Sequence, residues 1–250
     1  MKVQGVRDAF ADAIRANPRL HASARALKRA RRNAFERLGS DRYSHPAYDD
    51  LDRKLAAYLP ERGCTFVEAG AYDGYWGSNT YWFERFRGWS GVLIEPLPEM
   101  ARLARKERPR SQVFQCALVP PEYPNTRVTL LFGGIMSVVA GAWDGEEEEH
   151  ARVGAGSSET FEIDVPARLL SDVLDEASLD RIDLVTLDVE GYEPAALRGL
   201  DLARHRPRFL LIEMLDERRE RPAIEAILGA AYHYEAQLSI RDHLYHRCSQ

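Results

Sequence analysis

The strongest constraint on the fold is an alternation of short apolar runs and amphipathic stretches that begins at Cys64. It predicts strand, helix, strand, helix and strand over residues 64–70, 78–86, 90–96, 97–109 and 111–119. This spacing is typical of parallel strands covered by helices on both faces. Right-handed crossovers bring the carboxyl ends of such strands to one edge. The pattern therefore predicts a doubly wound, mostly parallel α/β sheet.

The second half of the chain resumes the alternation after an irregular region. RVTLLF at 127–132 predicts a strand, and the glycine-rich, acidic residues 133–160 predict a mobile insert over the functional site. Strands and helices then alternate over residues 160–167, 168–177, 182–191, 193–200, 208–214 and 220–230, with two closing strands near 231–238 and 243–249. We expect one catalytic domain over residues 46–250.

The N-terminal residues differ in charge from the rest of the chain. Residues 1–42 carry eleven Lys or Arg and four Asp or Glu, a charge of +7, so the remaining 208 residues carry −12. Apolar stripes over 6–14 and 20–38 predict two helices, and residues 1–45 are therefore interpreted as a basic helical arm. Such an arm docks on the acidic domain, on a second subunit of a homo-oligomer, or on nucleic acid. Nucleic acid is disfavoured because residues 1–42 offer only two aromatic residues, Phe10 and Phe35, for base stacking.

Hydropathy and cysteine usage exclude several protein classes. No apolar run approaches the ~18–20 residues of a membrane span, and the charged N-terminus does not resemble a signal peptide. We therefore expect a cytoplasmic protein. The three cysteines show no CxxC spacing, and Cys64 and Cys116 fall at predicted strands, which favours buried free thiols over a zinc site.

The first candidate motif is FVEAGAYDG at residues 66–74, a strand-to-helix turn. Gly70 and Gly74 permit close approach of a ligand to the backbone. Glu68 and Asp73 suit a cationic or amino-bearing ligand, and the spacing is not the GxGxxG of a dinucleotide loop. A plain tight turn is the alternative explanation.

Two further motifs end strands with carboxylates. Glu95 follows the second strand, about 20 residues after the glycine turn, where a carboxylate accepts hydrogen bonds from ribose hydroxyls. Asp188 ends a buried strand, and Glu190 and Glu193 follow at once. Repulsion among these three carboxylates would be relieved by a substrate proton, a metal or a cationic ligand. The alternatives are a solvated glutamate at 95 and a helix cap at 188.

Three ordered blocks carry a family resemblance: FVEAGAYDGYWGSNTYWFE, GWSGVLIEPLPEM and IDLVTLDVEGYEPAALRGL. They resemble the FkbM family of methyltransferases over roughly residues 62–215. The resemblance implies a Rossmann-like, class I methyltransferase fold with S-adenosylmethionine as cofactor. It also implies O-methylation of a hydroxyl on a sugar, glycan or natural product of the kind bacteria make.

The resemblance also implies roles for individual residues. Around the methionine part of the cofactor it places Glu68, Gly70, Tyr72, Asp73 and Gly74, with Ser78, Asn79 and Thr80 at the next helix. It places Glu95 with Pro96 at the ribose, Gln115, Cys116 and Ala117 at the adenine, and Asp188 near the sulfonium methyl.

A hydroxyl is a weak nucleophile, so the transfer gains from a base or a metal. The candidate bases are Asp188, Glu190 and Glu193, then His233 and His243. Asp188 and Glu213 could also hold a divalent cation, as in catechol-type methyltransferases, although Met214 stands where those enzymes have another ligand. The rival functions are an NAD-dependent oxidoreductase, a nucleic-acid methyltransferase and a non-catalytic assembly protein.

Overall fold

The central strands are short, mostly apolar runs of four or five residues, and nearly every side chain in them is buried. This is seen in β1 (Thr65–Ala69), β2 (Ser90–Ile94), β8 (Leu184–Leu187) and β9 (Phe209–Glu213). Strands buried on both faces are a property of parallel sheets covered by helices. The structure is a computed structural model that describes residues 18–132, 138–139 and 161–248.

The remaining elements follow in chain order. The helices are α1 (Pro18–Arg37), α2 (Leu51–Tyr58), α3 (Tyr81–Arg87), α4 (Pro98–Glu107), α5 (Leu170–Ala177), α6 (Glu193–Arg198) and α7 (Glu217–Leu228), with single 3₁₀ turns at Tyr48–Asp50 and Gly229–Ala231. The other strands are β3 (Gln112–Phe114), β4 (Ala117–Leu118), β5 (Arg127–Phe132), β6 (Val138–Val139), β7 (Phe161–Arg168), β10 (Tyr232–Gln237) and β11 (Asp242–Arg247).

Seven strands form the central sheet in the order β10-β11-β9-β8-β1-β2-β3. The five strands from β9 to β3 pair in parallel, and β11 pairs antiparallel with both of its neighbours. One face packs under α5, α6 and α7, and the other packs under α2, α3 and α4. The predicted doubly wound, mostly parallel sheet is therefore confirmed. The chain order reverses between β1 and β8, which is where open α/β sheets bind ligands.

A second sheet, of four strands in the order β4-β7-β5-β6, was not predicted. The sequence favours one strand over 111–119, but β3 ends at Phe114 and β4 leaves the central sheet to pair with β7. The run 160–167 also looked like a return to the parallel sheet, yet β7 pairs antiparallel with β5. The physical reason lies in burial, because Val165 is the one fully buried residue of β7 and its other residues are exposed or partly buried. A strand with one face exposed to water fits an antiparallel sheet better than a parallel sheet that helices cover on both faces.

The chain divides into two compact units, Met1–His45 and Pro46–Gln250. Within the first unit the chain folds back after α1. The Tyr43 ring packs edge-on against Phe35 with centroids 4.9 Å apart, and the Arg31 guanidinium lies 4.0 Å from the same ring. The expected helix over residues 6–14 lies outside the described residues. So does the expected insert over 133–160, apart from β6.

No helix in the described parts of the chain is both long enough and apolar enough to cross a membrane.

Candidate functional site

A cleft of about 550 Å³ opens at the carboxyl edge of the central sheet. Two groups of loops form it. The glycine end consists of residues 70–79, after β1, and residues 95–97, after β2. The acidic end consists of residues 188–192, after β8, Glu213, at the end of β9, and residues 239–242, in the β10–β11 turn.

Gly70 joins these two ends. Its φ of +84° lies in the left-handed region, and a Cβ at this position would stand 1.9 Å from the main-chain oxygen of Asp188. Only glycine fits such an approach. The backbone after β1 is therefore in direct contact with the backbone after β8.

Glu95 ties the loop after β1 to the end of β2. Its buried carboxylate accepts the backbone N–H of Tyr72 and that of Leu97, both at 2.8 Å. Burial raises the pKa of Glu95 to about 7, although the two amides act in the opposite direction; the nearby Asp73 charge raises it further. Each carboxylate oxygen keeps a second lone pair, so Glu95 has capacity for hydroxyl donors in the cleft.

Glu68 has a different environment, because its carboxylate is saturated from within the protein. It accepts the Ser78 hydroxyl at 2.9 Å, the Asn79 amide at 2.7 Å and the Thr80 hydroxyl at 2.6 Å. The fully buried Arg108 lies 3.5 Å away and also binds Glu84, the Gly74 carbonyl and the hydroxyls of Ser78 and Thr80. This buried polar network fixes the loop that forms the glycine end.

Asp73 and Gly74 shape the same loop. Asp73 Oδ1 accepts the amides of Tyr75 at 3.0 Å and Trp76 at 2.8 Å, which closes a tight turn. A Cβ at Gly74 would stand 3.0 Å from the backbone of Ala104 in α4. Both residues hold the turn from behind and do not line the cleft.

The side chain of Asn79 does line the cleft. It is buried, and its Oδ1 has no hydrogen-bond partner among the described residues. A buried acceptor of this kind favours a donor on a ligand.

Apolar side chains also line the cleft. They are Leu97, Leu118 of β4 and Leu130 of β5, so the second sheet contributes to the cleft. Gln115 donates to the Pro96 carbonyl at 3.0 Å, and Cys116 is a buried free thiol whose pKa burial raises to about 11. Ala117 packs in the core with Leu97 and Leu130. Pro96 itself lines the cleft, whereas 115–117 lie outside its lining.

At the acidic end, one oxygen from each of Asp188, Glu193 and Glu213 lies within 4.8 Å of the other two. Burial raises the pKa of Asp188 well above its ordinary value, and the charges of Glu213 and Glu190 raise it further. Burial likewise raises the pKa of Glu193 to about 8 and that of Glu213 to about 7. Glu190, with a left-handed φ of +58°, lines the cleft beside Asp188.

The two histidines considered as bases lie elsewhere. His243 is buried, its Nδ1 is 3.0 Å from Arg221, and burial with that guanidinium lowers its pKa. His233 is exposed, and its Nε2 lies 3.0 Å from Glu235. Neither residue lines the cleft.

A family model described as the methyltransferase FkbM domain matches residues 68–246 of this chain, well over half of it. The chain belongs to the FkbM methyltransferase family. As a member of this family it is an S-adenosylmethionine-dependent methyltransferase. No sequence among the curated proteins matches the chain.

Two of the solved structures with a similar course of chain are described as methyltransferases. A TehB-like S-adenosylmethionine-dependent methyltransferase from Corynebacterium glutamicum shares 12% identity at a TM-score of 0.41, over 93% of this chain and 100% of that one. An O-methyltransferase from Bacillus cereus, in complex with S-adenosylhomocysteine, shares 13% identity at a TM-score of 0.42, over 80% of each chain.

In this FkbM methyltransferase, several residues singled out from the sequence line the cleft: Gly70, Tyr72, Asn79, Glu95, Pro96, Asp188 and Glu190. Those behind the lining are Glu68, Asp73, Gly74, Ser78, Thr80, Gln115, Cys116, Ala117 and Glu193.

Sequence reasoning missed part of the lining. Tyr48 and Trp76 stand at the cleft, about half exposed, and the Trp76 indole N–H donates to the Tyr48 hydroxyl. The turn 239–242 closes the acidic end. Trp76 lies two residues after the first motif and inside the first family block, so an aromatic residue next to the glycine turn was an available signal, whereas Tyr48 and the distant turn carried none.

Proposed function

We propose that the protein transfers a methyl group from S-adenosylmethionine to a hydroxyl of a sugar, glycan or natural-product acceptor. The observation that carries this proposal is the division of one cleft into two chemically different ends. The glycine end offers a carboxylate and an apolar wall, which suit a nucleoside. The acidic end offers clustered carboxylates, which suit a hydroxyl that must lose a proton.

The glycine end matches the polar groups of the cofactor. Glu95 accepts the ribose hydroxyls, and Leu97, Leu118 and Leu130 pack against the adenine. Asn79 Oδ1, buried and without a partner in the described chain, accepts from the α-ammonium of the methionine part. In this proposal Glu68 does not touch the cofactor, and it holds the loop through Ser78, Asn79 and Thr80.

The acidic end acts on the acceptor. The hydroxyl oxygen attacks the sulfonium methyl in line, forming the C–O bond as the C–S bond breaks and the electron pair returns to sulfur. The hydroxyl proton passes to Asp188 or to Glu190 beside it, both of which line the cleft. The protein's main contribution is to align the two reactants.

The aromatic pair at the cleft supports a ring-shaped acceptor. Trp76 and Tyr48 are 49% and 54% exposed, and their hydrogen bond holds them together. Exposed aromatic faces of this kind pack against the C–H face of a sugar or macrocycle while its hydroxyls stay hydrated.

The test is substitution of the candidate base. Asp188→Asn keeps size and hydrogen bonding and removes the charge, so we expect intact cofactor binding with turnover reduced about 10²–10⁴-fold. Glu190→Gln gives this loss instead if Glu190 takes the proton. Turnover is measured with methyl-labelled cofactor on a panel of glycosides and hydroxylated natural products, and NMR of the product locates the methyl group.

The matched control is Asp180→Asn, which changes an exposed aspartate in the segment before β8 and should leave turnover unchanged. Methyl groups found on nitrogen or carbon would contradict the proposal. So would near wild-type rates in both Asp188→Asn and Glu190→Gln.

A further inference from the structure

Three carboxylates meet where β8 and β9 end side by side. Asp188 directly follows β8, Glu213 is the last residue of β9, and Glu193 is the first residue of α6. One oxygen from each lies within 4.8 Å of the others. We propose that Asp188, Glu193 and Glu213 bind a hard divalent cation such as Mg²⁺ or Mn²⁺.

Glu193 supplies the observation that separates this site from an ordinary acidic patch. Its side chain is fully buried, and Oε1 accepts the amides of Val189 at 2.7 Å and Gly191 at 3.2 Å. Oε2 is buried and has no hydrogen-bond partner among the described residues. A buried carboxylate oxygen without a partner is costly, so a third group is needed to satisfy it.

The surroundings of the three carboxylates are themselves acidic. Glu190, Glu220 and Asp242 add negative charge near the cluster. In the described chain, the ion pair at the cluster joins Arg241 to Glu213, with Nη1 3.6 Å from Oε1, and the Arg241 side chain is half-exposed. One guanidinium does not balance the three groups when all are ionised, and a divalent cation would supply the missing positive charge.

The three carboxylate oxygens determine which type of metal ion the site would prefer. Three carboxylate oxygens are hard ligands that suit Mg²⁺, Mn²⁺ or Ca²⁺, whereas zinc and copper sites use nitrogen and sulfur more readily. Asp188 and Glu213 line the cleft, while Glu193 lies behind it. The free coordination positions of the ion would then face the cleft.

This placement gives the ion a role that rests on the proposed function. An acceptor hydroxyl bound to the ion loses its proton more readily, because the metal stabilises the alkoxide. Asp188 would then hold the ion, and Glu190 would be the group that takes the proton.

Cation binding is tested on the full chain after treatment with chelator, with neither cofactor nor acceptor present. Mn²⁺ is titrated and free ion is followed by electron paramagnetic resonance, with Mg²⁺ as competitor. We expect one site that saturates below millimolar Mn²⁺. Glu193→Gln and Glu213→Gln keep side-chain volume, and each should weaken Mn²⁺ binding at least about tenfold.

Glu235→Gln is the matched control. It removes the carboxylate from the exposed group formed by His233, Glu235 and His246, the other set of ligand atoms close enough to hold an ion in the described chain. It should leave the buried site unchanged. Circular dichroism checks the fold of each variant, and either Glu193→Gln or Glu213→Gln suffices if the other does not fold.

The proposal is overturned if the wild-type protein binds no Mn²⁺ below millimolar concentration, or if binding survives both buried substitutions. Since the titration contains no cofactor, its failure leaves methyl transfer untouched. Conversely, a bound ion with transfer that is insensitive to EDTA would keep the site and remove its role in the reaction.

Discussion

Both ends of the cleft contain buried or partly buried carboxylates, and they use them in opposite ways. At the glycine end, Glu68 is surrounded by hydroxyls, an amide and the Arg108 guanidinium. At the acidic end, Asp188 and Glu213 face each other and Glu193. Burial alone therefore does not mark a carboxylate as chemically active, because its partners decide whether it holds structure or accepts a proton or cation.

Glu95 lies between these extremes. Backbone amides hold it in place, two here against one at Glu68, but no cation is described beside it, and its pKa is raised to about 7. This intermediate environment suits a group that must be rigid and still bind a ligand.

The largest effect should come from removing Arg108. Arg108→Met would leave Glu68 and Glu84 buried without their cation, and breaking a buried pair in this way costs about 3–5 kcal/mol of unfolding free energy. Urea unfolding measures it. Arg102→Met, which breaks the exposed ion pair with Glu99, is the control and should change little. Equal effects would mean that the buried network does not hold the glycine end.

A smaller effect is expected for cofactor affinity. Glu95→Ala removes the acceptor of the ribose hydroxyls and should weaken S-adenosylmethionine binding by ~1.5–3 kcal/mol, the range of charge-assisted hydrogen bonds. Calorimetry measures the affinity, with the exposed Glu99→Gln as control. Unchanged affinity in Glu95→Ala would remove Glu95 from the cofactor site.

The smallest effect concerns pH. Hydroxyl donors prefer the ionised carboxylate. The affinity for S-adenosylmethionine should therefore be highest above the Glu95 pKa of about 7 and should fall as the pH drops through that value. We expect cofactor affinity to be about tenfold lower at pH 6 than at pH 8, in proportion to the ionised fraction. Glu95→Gln should abolish this difference, and a variant that keeps the full pH response would assign it to another group.

Much of the fold was predictable because runs of apolar residues identify the buried strands. VLI before Glu95 and LVTL before Asp188 locate the strand ends, and strand ends locate the cleft. The second sheet was not predictable in this way, since Gln115 and Cys116 separate β3 from β4 without a glycine or proline to signal the break.

The partners of each carboxylate were equally hidden from the sequence. Glu68 and Glu95 both follow apolar residues near a strand end, yet only Glu68 lies near Arg108, forty residues away along the chain. Such long-range contacts depend on how α4 packs over β1, which local patterns do not encode.

The contact at Gly70 determines which parts of the cleft can change when the acceptor changes. Its two ends meet there through main-chain atoms, with no side chain between Gly70 and the Asp188 carbonyl. In the proposed reaction, the gap between methyl donor and acceptor is then set by the spacing of two paired strands. Residues at the rim, such as Trp76 and the 239–242 turn, are free to change with the acceptor while that gap stays constant. A single added methyl group at position 70 would push the two loops apart and lengthen the distance between methyl donor and acceptor. Every side chain proposed to take part in the reaction would still be present.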